Sequence, residues 1–517
     1  MTTDSTKTQT EEGEQARGRV HRTRVLIIGA GFSGMGMAIQ LGRRGRRDFL
    51  VLEKATEYGG TWRENTYPGC ACDIPSHMYS FSFEPNPHWS KMWSGQEEIL
   101  EYLKGRAAKH NLRANTHFGK AVHRAAWDEA TQRWHVRTEQ GDEYIAQFLV
   151  SGIGGLHVPN TPKLAGIERF SGTTFHSAQW NHEYDLRGKR VAVIGTGASA
   201  IQFVPEIVDD VAELHLYQRT PPWVLPRTNI TIPPAVRTLF SAVPATRRVA
   251  RDGIYWSWEA FGIGLNGHTN LMKPLEQLAR RNIERSIKDP ELARKLVPDY
   301  RIGCKRILGS NDYYPALAKP HSTVITEGIA EVTERGIISA DGVEREVDAI
   351  IYGTGFEISG GFHRLDVVGL DGGKLAEQWA EHGMETHLGI TVAGFPNAFF
   401  LLGPNTGLGH NSVIFMIEQQ IKYAMDAMAL VERSGVEALT VRRAVQDRFN
   451  DEIQRKLNRG VWSTGGCQSW YLDAAGVNRT VWPGFTWEYW LQTRRVEPAD
   501  FELLGSVQLV GEKVAAR

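Results

Sequence analysis

Apolar and polar residues along the chain fall into one grammar, used twice. Arg24-Val25-Leu26-Ile27-Ile28 reads as a fully apolar strand that runs into Gly29-Ala30-Gly31-Phe32-Ser33-Gly34. A helix is predicted from about Gly34 to Arg44, and a second apolar strand, Phe49-Leu50-Val51-Leu52, ends at Glu53. Strand, glycine turn, helix and strand make one βαβ unit. The order returns where Arg190-Val191-Ala192-Val193-Ile194 enters Gly195-Thr196-Gly197-Ala198-Ser199-Ala200, and a strand near Glu213–Gln218 ends at Arg219. Two such units predict two dinucleotide sites.

Alternating stretches, the pattern of antiparallel strands, follow each unit at about 117–150 and 323–351. Each set runs into a glycine-rich crossing, Ser151-Gly152-Ile153-Gly154-Gly155 and Ile351-Tyr352-Gly353-Thr354-Gly355-Phe356. There the chain is expected to leave one dinucleotide domain and later to return to it. Residues 230–300 interrupt the second unit with helical text, including Leu275–Lys288 and the cluster Tyr255-Trp256-Ser257-Trp258. Two readings stay open for this insert: a helical subdomain with its own core, or part of a substrate wall. Residues 1–22 lack periodicity and read as a disordered tail.

Composition narrows the function classes. At roughly 100–200 residues per domain, 517 residues imply three or four domains, or fewer large ones. Lys+Arg and Asp+Glu both number 59, which argues against a general polyanion binder, so no nucleic-acid partner is expected. Four cysteines are too few for a disulfide scaffold. The polar N-terminal stretch, and the lack of an apolar run of the ~20 residues needed to span a bilayer, point to a cytoplasmic protein without a membrane span. No metal is expected.

The residue closing each βαβ unit selects the nucleotide. In a GxGxxG turn the first glycine lets the chain turn and the second lets pyrophosphate approach the backbone. The third lets the helix pack on the strand, and the phosphates sit at the helix N-terminus. Glu53 stands 24 positions after Gly29, where a carboxylate accepts ribose hydroxyls and repels a 2′-phosphate. Arg219 stands 24 positions after Gly195, where a cation suits a 2′-phosphate. The first site therefore reads as FAD or NAD and the second as NADP. A disulfide reductase would need a redox cysteine pair shortly after the ribose carboxylate. The nearby cysteines, Cys70 and Cys72, form a C-x-C pair poorly suited to that chemistry, and they read as packing residues.

The text between the units resembles a known family. Phe170-Ser171-Gly172-Thr173-Thr174-Phe175-His176-Ser177-Ala178-Gln179-Trp180-Asn181 is similar to the FxGxxxHxxxW fingerprint of type I Baeyer–Villiger monooxygenases, with Asn181 where the family has Pro or Asp. A second family pattern is complete, from Gly59-Gly60-x-Trp62 through Tyr67-Pro68-Gly69 to Asp73. The resemblance covers about residues 24–490. It implies an α/β fold with two Rossmann-like dinucleotide-binding domains and FAD and NADPH as cofactors. The FAD domain is then split between 23–155 and 346–517, with the NADP domain, 156–345, and its insert at about 230–300 between them.

The implied activity is oxidation of a ketone to an ester or lactone with O₂, through a C4a-peroxyflavin. A fixed cation beside that species would stabilise its anion. The resemblance carries this role onto Arg306, in Lys305-Arg306 before Tyr313-Tyr314, with Asp73 orienting it. FAD contacts are implied at Gly29, Gly31, Ser33, Gly34, Glu53, Gly60, Thr61, Trp62, Asp73, Tyr79 and Val122. NADP contacts are implied at Gly195, Thr196, Gly197, Ser199, Ala200, Gln202, Arg219, Thr220, Lys305 and Arg306. Phe170, Gly172, His176 and Trp180 are read as a domain hinge rather than as catalysts. Leu402-Gly403-Pro404-Asn405-Thr406-Gly407 would return to the flavin ring. Ser469-Trp470-Tyr471 in the tail reads as packing or as a mobile substrate loop. Two alternatives remain: a flavin-containing monooxygenase oxidising sulfur or nitrogen, and a flavin protein that binds NADPH without oxygen transfer.

Overall fold

The computed structural model describes residues 18–357, 364–473 and 475–505. Its largest sheet orders Asp366–Val368, Val122–Asp128, Arg133–Thr138, Glu143–Ser151, Val20–Ile28, Phe49–Glu53 and Thr116–Phe118, with Ala398–Phe400 also pairing with Glu143–Ser151. Val20–Ile28 runs parallel to both neighbours, Ile27 lying opposite Val51 on one side and Val150 on the other. Order begins before the end of the tail expected over 1–22. Val20, His21 and Arg22 pair with Glu143, Tyr144 and Ile145, and the His21 ring stacks on Tyr144 at 4.7 Å. This end of the strand has a single exposed Val20 followed by polar residues, too little for an apolar pattern, and is held by its partner. Residues 1–17 lie outside the described residues.

The second sheet is wholly parallel, in the order Ser322–Ile325, Glu213–Tyr217, Arg190–Ile194, Ala349–Tyr352 and Thr173–His176. Ala349–Tyr352 therefore extends the second unit past the boundary drawn at 345, because the partners of this buried strand both belong to that unit. Of the alternating stretch at 323–351, only Ile329–Val332, Gly336–Ser339 and Glu344–Glu346 pair antiparallel.

Both units solve the same steric problem in the same way. A Cβ on Gly29 would stand 2.6 Å from the Gly152 carbonyl oxygen, and one on Gly195 would stand 2.4 Å from that of Gly353. Each phosphate turn thus lies directly on a glycine crossing, at φ values of 97° and 108° that disfavour any side chain. Gly34 is closed more tightly, a Cβ there falling 1.9 Å from the Gly29 oxygen.

The insert is helical at Pro234–Ala242, Pro244–Leu265, Lys273–Ser286 and Pro290–Leu296. It does not bury itself alone. Glu259 accepts hydrogen bonds from Asn411 Nδ2 and Thr486 Oγ1 at 2.6 and 2.7 Å, and Tyr255 stacks on Phe415. Arg251 donates to the His77 and Ser80 carbonyls. The insert is thereby clamped onto the returning C-terminal third and onto the loop after Asp73. Among the described residues no helix is long and apolar enough to cross a membrane.

Trp134 anchors the second core of the large sheet. It is fully buried against Trp127, and its indole N–H donates to the Pro396 carbonyl at 2.8 Å. Trp134→Ala opens a cavity and strands that carbonyl, so it should cost about 3–5 kcal/mol. Differential scanning calorimetry at a fixed scan rate should show a lower unfolding midpoint.

Candidate active site

The first phosphate turn opens the helix Phe32–Arg43 with its second glycine uncluttered. The nearest atom to a Cβ on Gly31 would be the Gly60 Cα at 3.4 Å. Gly60 itself sits at φ 53°, and a Cβ there would meet the Gly31 Cα at 2.9 Å. Two glycine backbones thus form a cleft at a helix N-terminus, a shape and polarity suited to pyrophosphate. Glu53 is buried at the end of its strand and accepts the Ala30 and Ala55 N–H groups at 2.7 and 2.9 Å. Those bonds hold its carboxylate beside the turn. Ser33 and Gly34 are buried in the first helical turn, and Thr61 starts the short helix Thr61–Glu64. Trp62 donates its indole N–H to the Tyr79 hydroxyl at 3.2 Å, and Phe32 packs edge-on against Tyr79. Val122 opens the strand after Glu53's neighbour and is half-buried. These residues fit the dinucleotide the sequence assigned here.

Arg306 and Asp73, 233 residues apart, meet in a two-pronged ion pair. Arg306 Nε donates to Asp73 Oδ2 at 2.5 Å and Nη2 to Oδ1 at 2.7 Å, while Nη1 donates to the Leu408 carbonyl at 3.1 Å. Burial alone would raise the Asp73 carboxyl. The Arg306 charge and hydrogen bonds outweigh it, Arg227 adds to them, and the group is held below the usual carboxylate range. Burial likewise opposes the Arg306 cation, but Asp73 more than offsets it and raises the guanidinium above its ordinary value. Both partners keep some exposed surface. The result is a cation of fixed position whose charge persists across the neutral range.

At the second turn, the helix Ala198–Ile207 starts behind an exposed Gly197, where a Cβ would have only the Gly353 oxygen near it, at 3.8 Å. Thr196 Oγ1 donates to the Thr220 carbonyl at 3.0 Å, fixing the turn beside Arg219. Ser199 is half-buried in the first helical turn and Ala200 is buried beneath it. Lys305 lies with its ammonium 5.1 Å from the Tyr300 ring centre. Burial and the neighbouring Arg219 charge hold it below an ordinary lysine's value, with Asp299 opposing. Two cations close enough to feel each other's charge are stabilised when an anion joins them, and a 2′-phosphate is such an anion. Gln202 points elsewhere: its amide accepts from Tyr67 OH at 2.9 Å and donates to the Ala71 carbonyl at 3.0 Å, riveting this helix to the loop before Asp73.

The fingerprint residues lie just before, along and just after the edge strand Thr173–His176, and none of them bonds to Arg306 or Asp73. His176 is buried, its Nδ1 accepts the Ala178 N–H at 3.0 Å, and its ring meets Phe356 of the crossing edge-on. Burial lowers its pKa and favours the neutral ring. Gly172 is needed because a Cβ would strike the Asp348 carbonyl at 2.5 Å, and Phe170 packs beside that sheet. Trp180 packs on Phe175 and Phe203. Cys70 and Cys72 are free and buried; burial pushes Cys70 up to about 12 and Cys72 well above its usual value, so neither offers a thiolate.

Three contributors escape the motif reading. Leu408 acts through its carbonyl, which no side-chain pattern reports. Arg227 follows Leu225-Pro226 with no periodic signal and reaches Asp73's field only through the fold. Tyr471 was legible only as tail packing or loop. It is buried beside Arg306, whose charge lowers its hydroxyl pKa while burial raises it further.

Comparison with known proteins agrees with this geometry. Residues 26–251 match the family model described as pyridine nucleotide-disulphide oxidoreductase. A Baeyer–Villiger monooxygenase of Pseudomonas aeruginosa is 53% identical, over 93% of this chain and 91% of its own. One of Streptomyces coelicolor is 49% identical, over 96% of each chain. Among solved structures, oxidized steroid monooxygenase bound to NADP superposes with TM-score 0.84 at 29% identity, covering 94% of this chain and 100% of that one. Cyclohexanone monooxygenase from Rhodococcus sp. Phi1 bound to NADP+ gives 0.83 at 28%, with the same coverage. Likeness this high over nearly the whole of each chain, on a fold with two nucleotide turns and an arginine fixed by Asp73, means that the chain belongs to the Baeyer–Villiger monooxygenase family.

Proposed function

We propose that this chain is an FAD-containing, NADPH- and O₂-dependent monooxygenase that converts a ketone to an ester or lactone, with Arg306 and Asp73 as its catalytic pair. The observation that carries the assignment of the pair is the two-pronged contact between them. Overall, ketone, O₂, NADPH and a proton give ester, water and NADP⁺. Bound at the Gly29–Gly34 turn, the flavin supplies the oxygen activation. FAD is assigned to the sheet around Val20–Ile28 and NADPH to the sheet around Arg190–Ile194, so the FAD domain is built from the chain on either side of the NADPH domain.

Within that frame, the chain's own groups do three things. Glu53 receives ribose hydroxyls at the first turn, and Trp62, Tyr79 and Val122 line the space beyond it. Arg219 and Lys305 grip the 2′-phosphate, and Thr196 and Ser199 flank the second pyrophosphate. Arg306 holds a permanent positive charge, and Asp73 prevents it from swinging away. Such a charge stabilises negative charge both on the attacking oxygen and on the ketone oxygen as the carbonyl becomes tetrahedral. A heteroatom lone pair attacking an electrophilic oxygen develops no oxyanion on the substrate, so the fixed cation favours ketones over thioethers and amines.

Product analysis with a panel of ketones and thioethers should show esters or lactones as principal products. Arg306→Ala should cut ketone turnover by about 10²–10³-fold. Sulfoxides without esters, or full ketone activity in the variant, would contradict the assignment.

Arg219→Ala should raise the KM for NADPH about tenfold or more while leaving that for NADH nearly unchanged, because only NADPH carries the 2′-phosphate. Initial-rate kinetics with both nucleotides measures the split.

Lys305 has a second consequence. Its folded pKa lies below that of a free lysine, so it loses its charge, and with it the phosphate contact, as pH rises through a value lower than an ordinary lysine's. The KM for NADPH should therefore climb on the alkaline side. Lys305→Arg, which cannot lose its proton there, should flatten that rise.

A further inference from the structure

Besides the two buried thiols, the protein holds one disulfide, between Cys304 and Cys467, which closes 163 residues of chain. Its place in the fold is informative. Cys304 is fully buried two residues before Arg306, and Cys467 is half-buried four residues before Tyr471. The bridge thus joins the segment that presents the Arg306 cation to the segment that sets Tyr471 against it.

The second segment has little else to hold its middle. Val461, Trp462 and Gly465 are buried towards one end and Tyr471 at the other, while Ser463, Thr464, Gly466, Gln468 and Trp470 are exposed. One backbone hydrogen bond, from Arg301 N–H to the Gly465 carbonyl at 3.0 Å, joins it to the Cys304 segment. Gly465 is a glycine for a reason: a Cβ there would stand 2.6 Å from the Cys304 Cβ, so the two backbones approach closely only without one. The Tyr471 hydroxyl is buried beside Arg306 and interacts with its charge, so small displacements of this segment change what surrounds the guanidinium.

We propose that Cys304 and Cys467 are positioning residues: their disulfide is a reducible tether that holds residues 463–470 and Tyr471 closed over Arg306, and its reduction loosens that cover. The proposal rests on the reading of Arg306 as the catalytic cation. Reduction follows ordinary thiol–disulfide exchange. A thiolate of a dithiol reductant attacks Cys467 Sγ, on the less buried of the two cysteines, and the S–S bond breaks. Cys304 leaves as a thiolate and takes a proton. The second thiol of the reductant then displaces Cys467, which leaves as a thiolate and is protonated, and the reductant becomes a cyclic disulfide. Two electrons pass from reductant to protein, and an oxidised disulfide in excess reverses the exchange.

The test uses the FAD-loaded enzyme with and without dithiothreitol. Alkylation without denaturant, followed by non-reducing peptide mass mapping, should find Cys304 and Cys467 linked in the oxidised protein. Both should be alkylated after reduction, with Cys70 and Cys72 unlabelled in each state. Limited proteolysis should cut within 463–470 faster after reduction. The yield of ester per NADPH consumed should fall roughly tenfold, short of the hundredfold cost of a 1 Å misplacement at the reacting atoms, with hydrogen peroxide making up the difference. The rate of flavin reduction by NADPH should stay within about twofold, a split that general destabilisation would not produce. Re-oxidation should restore the yield, and Cys467→Ser should behave like reduced wild type and ignore dithiothreitol. Free thiols in the oxidised protein, or a bridge whose reduction changes neither cleavage nor ester yield, would overturn the proposal. The mass map and proteolysis do not depend on the chemistry at Arg306. A failure of the ketone reading, with no ester in either state, is therefore distinguishable from a failure of the tether.

Discussion

Two opposite charges that meet across 233 residues of chain organise the centre of this molecule. An ion pair taken partly out of water repays its desolvation only when its hydrogen-bonding groups are filled. Arg306 meets that condition with two bonds to Asp73 and a third to the Leu408 carbonyl. The three come from different stretches: the loop after the first βαβ unit, the segment after the helical insert, and the returning C-terminal third. The full set of bonds to Arg306 therefore forms only when all three have docked. Their docking is what the surrounding contacts secure, among them Gln202 on Tyr67 and Ala71, Arg251 on the His77 and Ser80 carbonyls, and Glu259 on Asn411 and Thr486.

A second constraint is steric and is obeyed twice. In each unit a nucleotide must reach backbone N–H groups at the start of a helix, so the turn must carry no side chains. The chain must also cross directly behind that turn to leave or re-enter the sheet. Glycine is required on both sides of the contact, Gly29 against Gly152 and Gly195 against Gly353. Much of the glycine in the sequence is thereby explained by approach distances, and little of it signals slack chain.

Most of the architecture was legible because it is written in local patterns. Apolar runs such as Val25–Ile28 and Val191–Ile194 declare buried parallel strands, and the residue 24 positions after each first glycine declares the charge offered to a ribose. Errors gathered where an element is defined by its partner. Val20–Arg22 has no apolar run yet is stranded, because Glu143–Ile145 lies beside it. Ala349–Tyr352 reads from sequence as the start of the returning segment, whereas its pairing with Arg190–Ile194 and Thr173–His176 makes it a strand of the second sheet. At the site, Asp73 and Arg306 were named from motifs, but Leu408, Arg227 and the Cys304–Cys467 bridge belong to no motif.

By itself, the sequence determined that the chain carries two dinucleotide-binding units of opposite ribose preference, and which residue types line each turn. Those properties depend on residues within about 25 positions of one another, where strand, turn and helix geometry are set by local sterics and hydrophobic period. Only the tertiary structure decided that Asp73 grips Arg306 with two hydrogen bonds, that Lys305 feels the charge of Arg219, and that a disulfide ties the tail segment to the arginine's own. Electrostatic energy depends on distance and burial rather than on position in the chain. Residues hundreds of positions apart acquire these properties only when the fold brings them together.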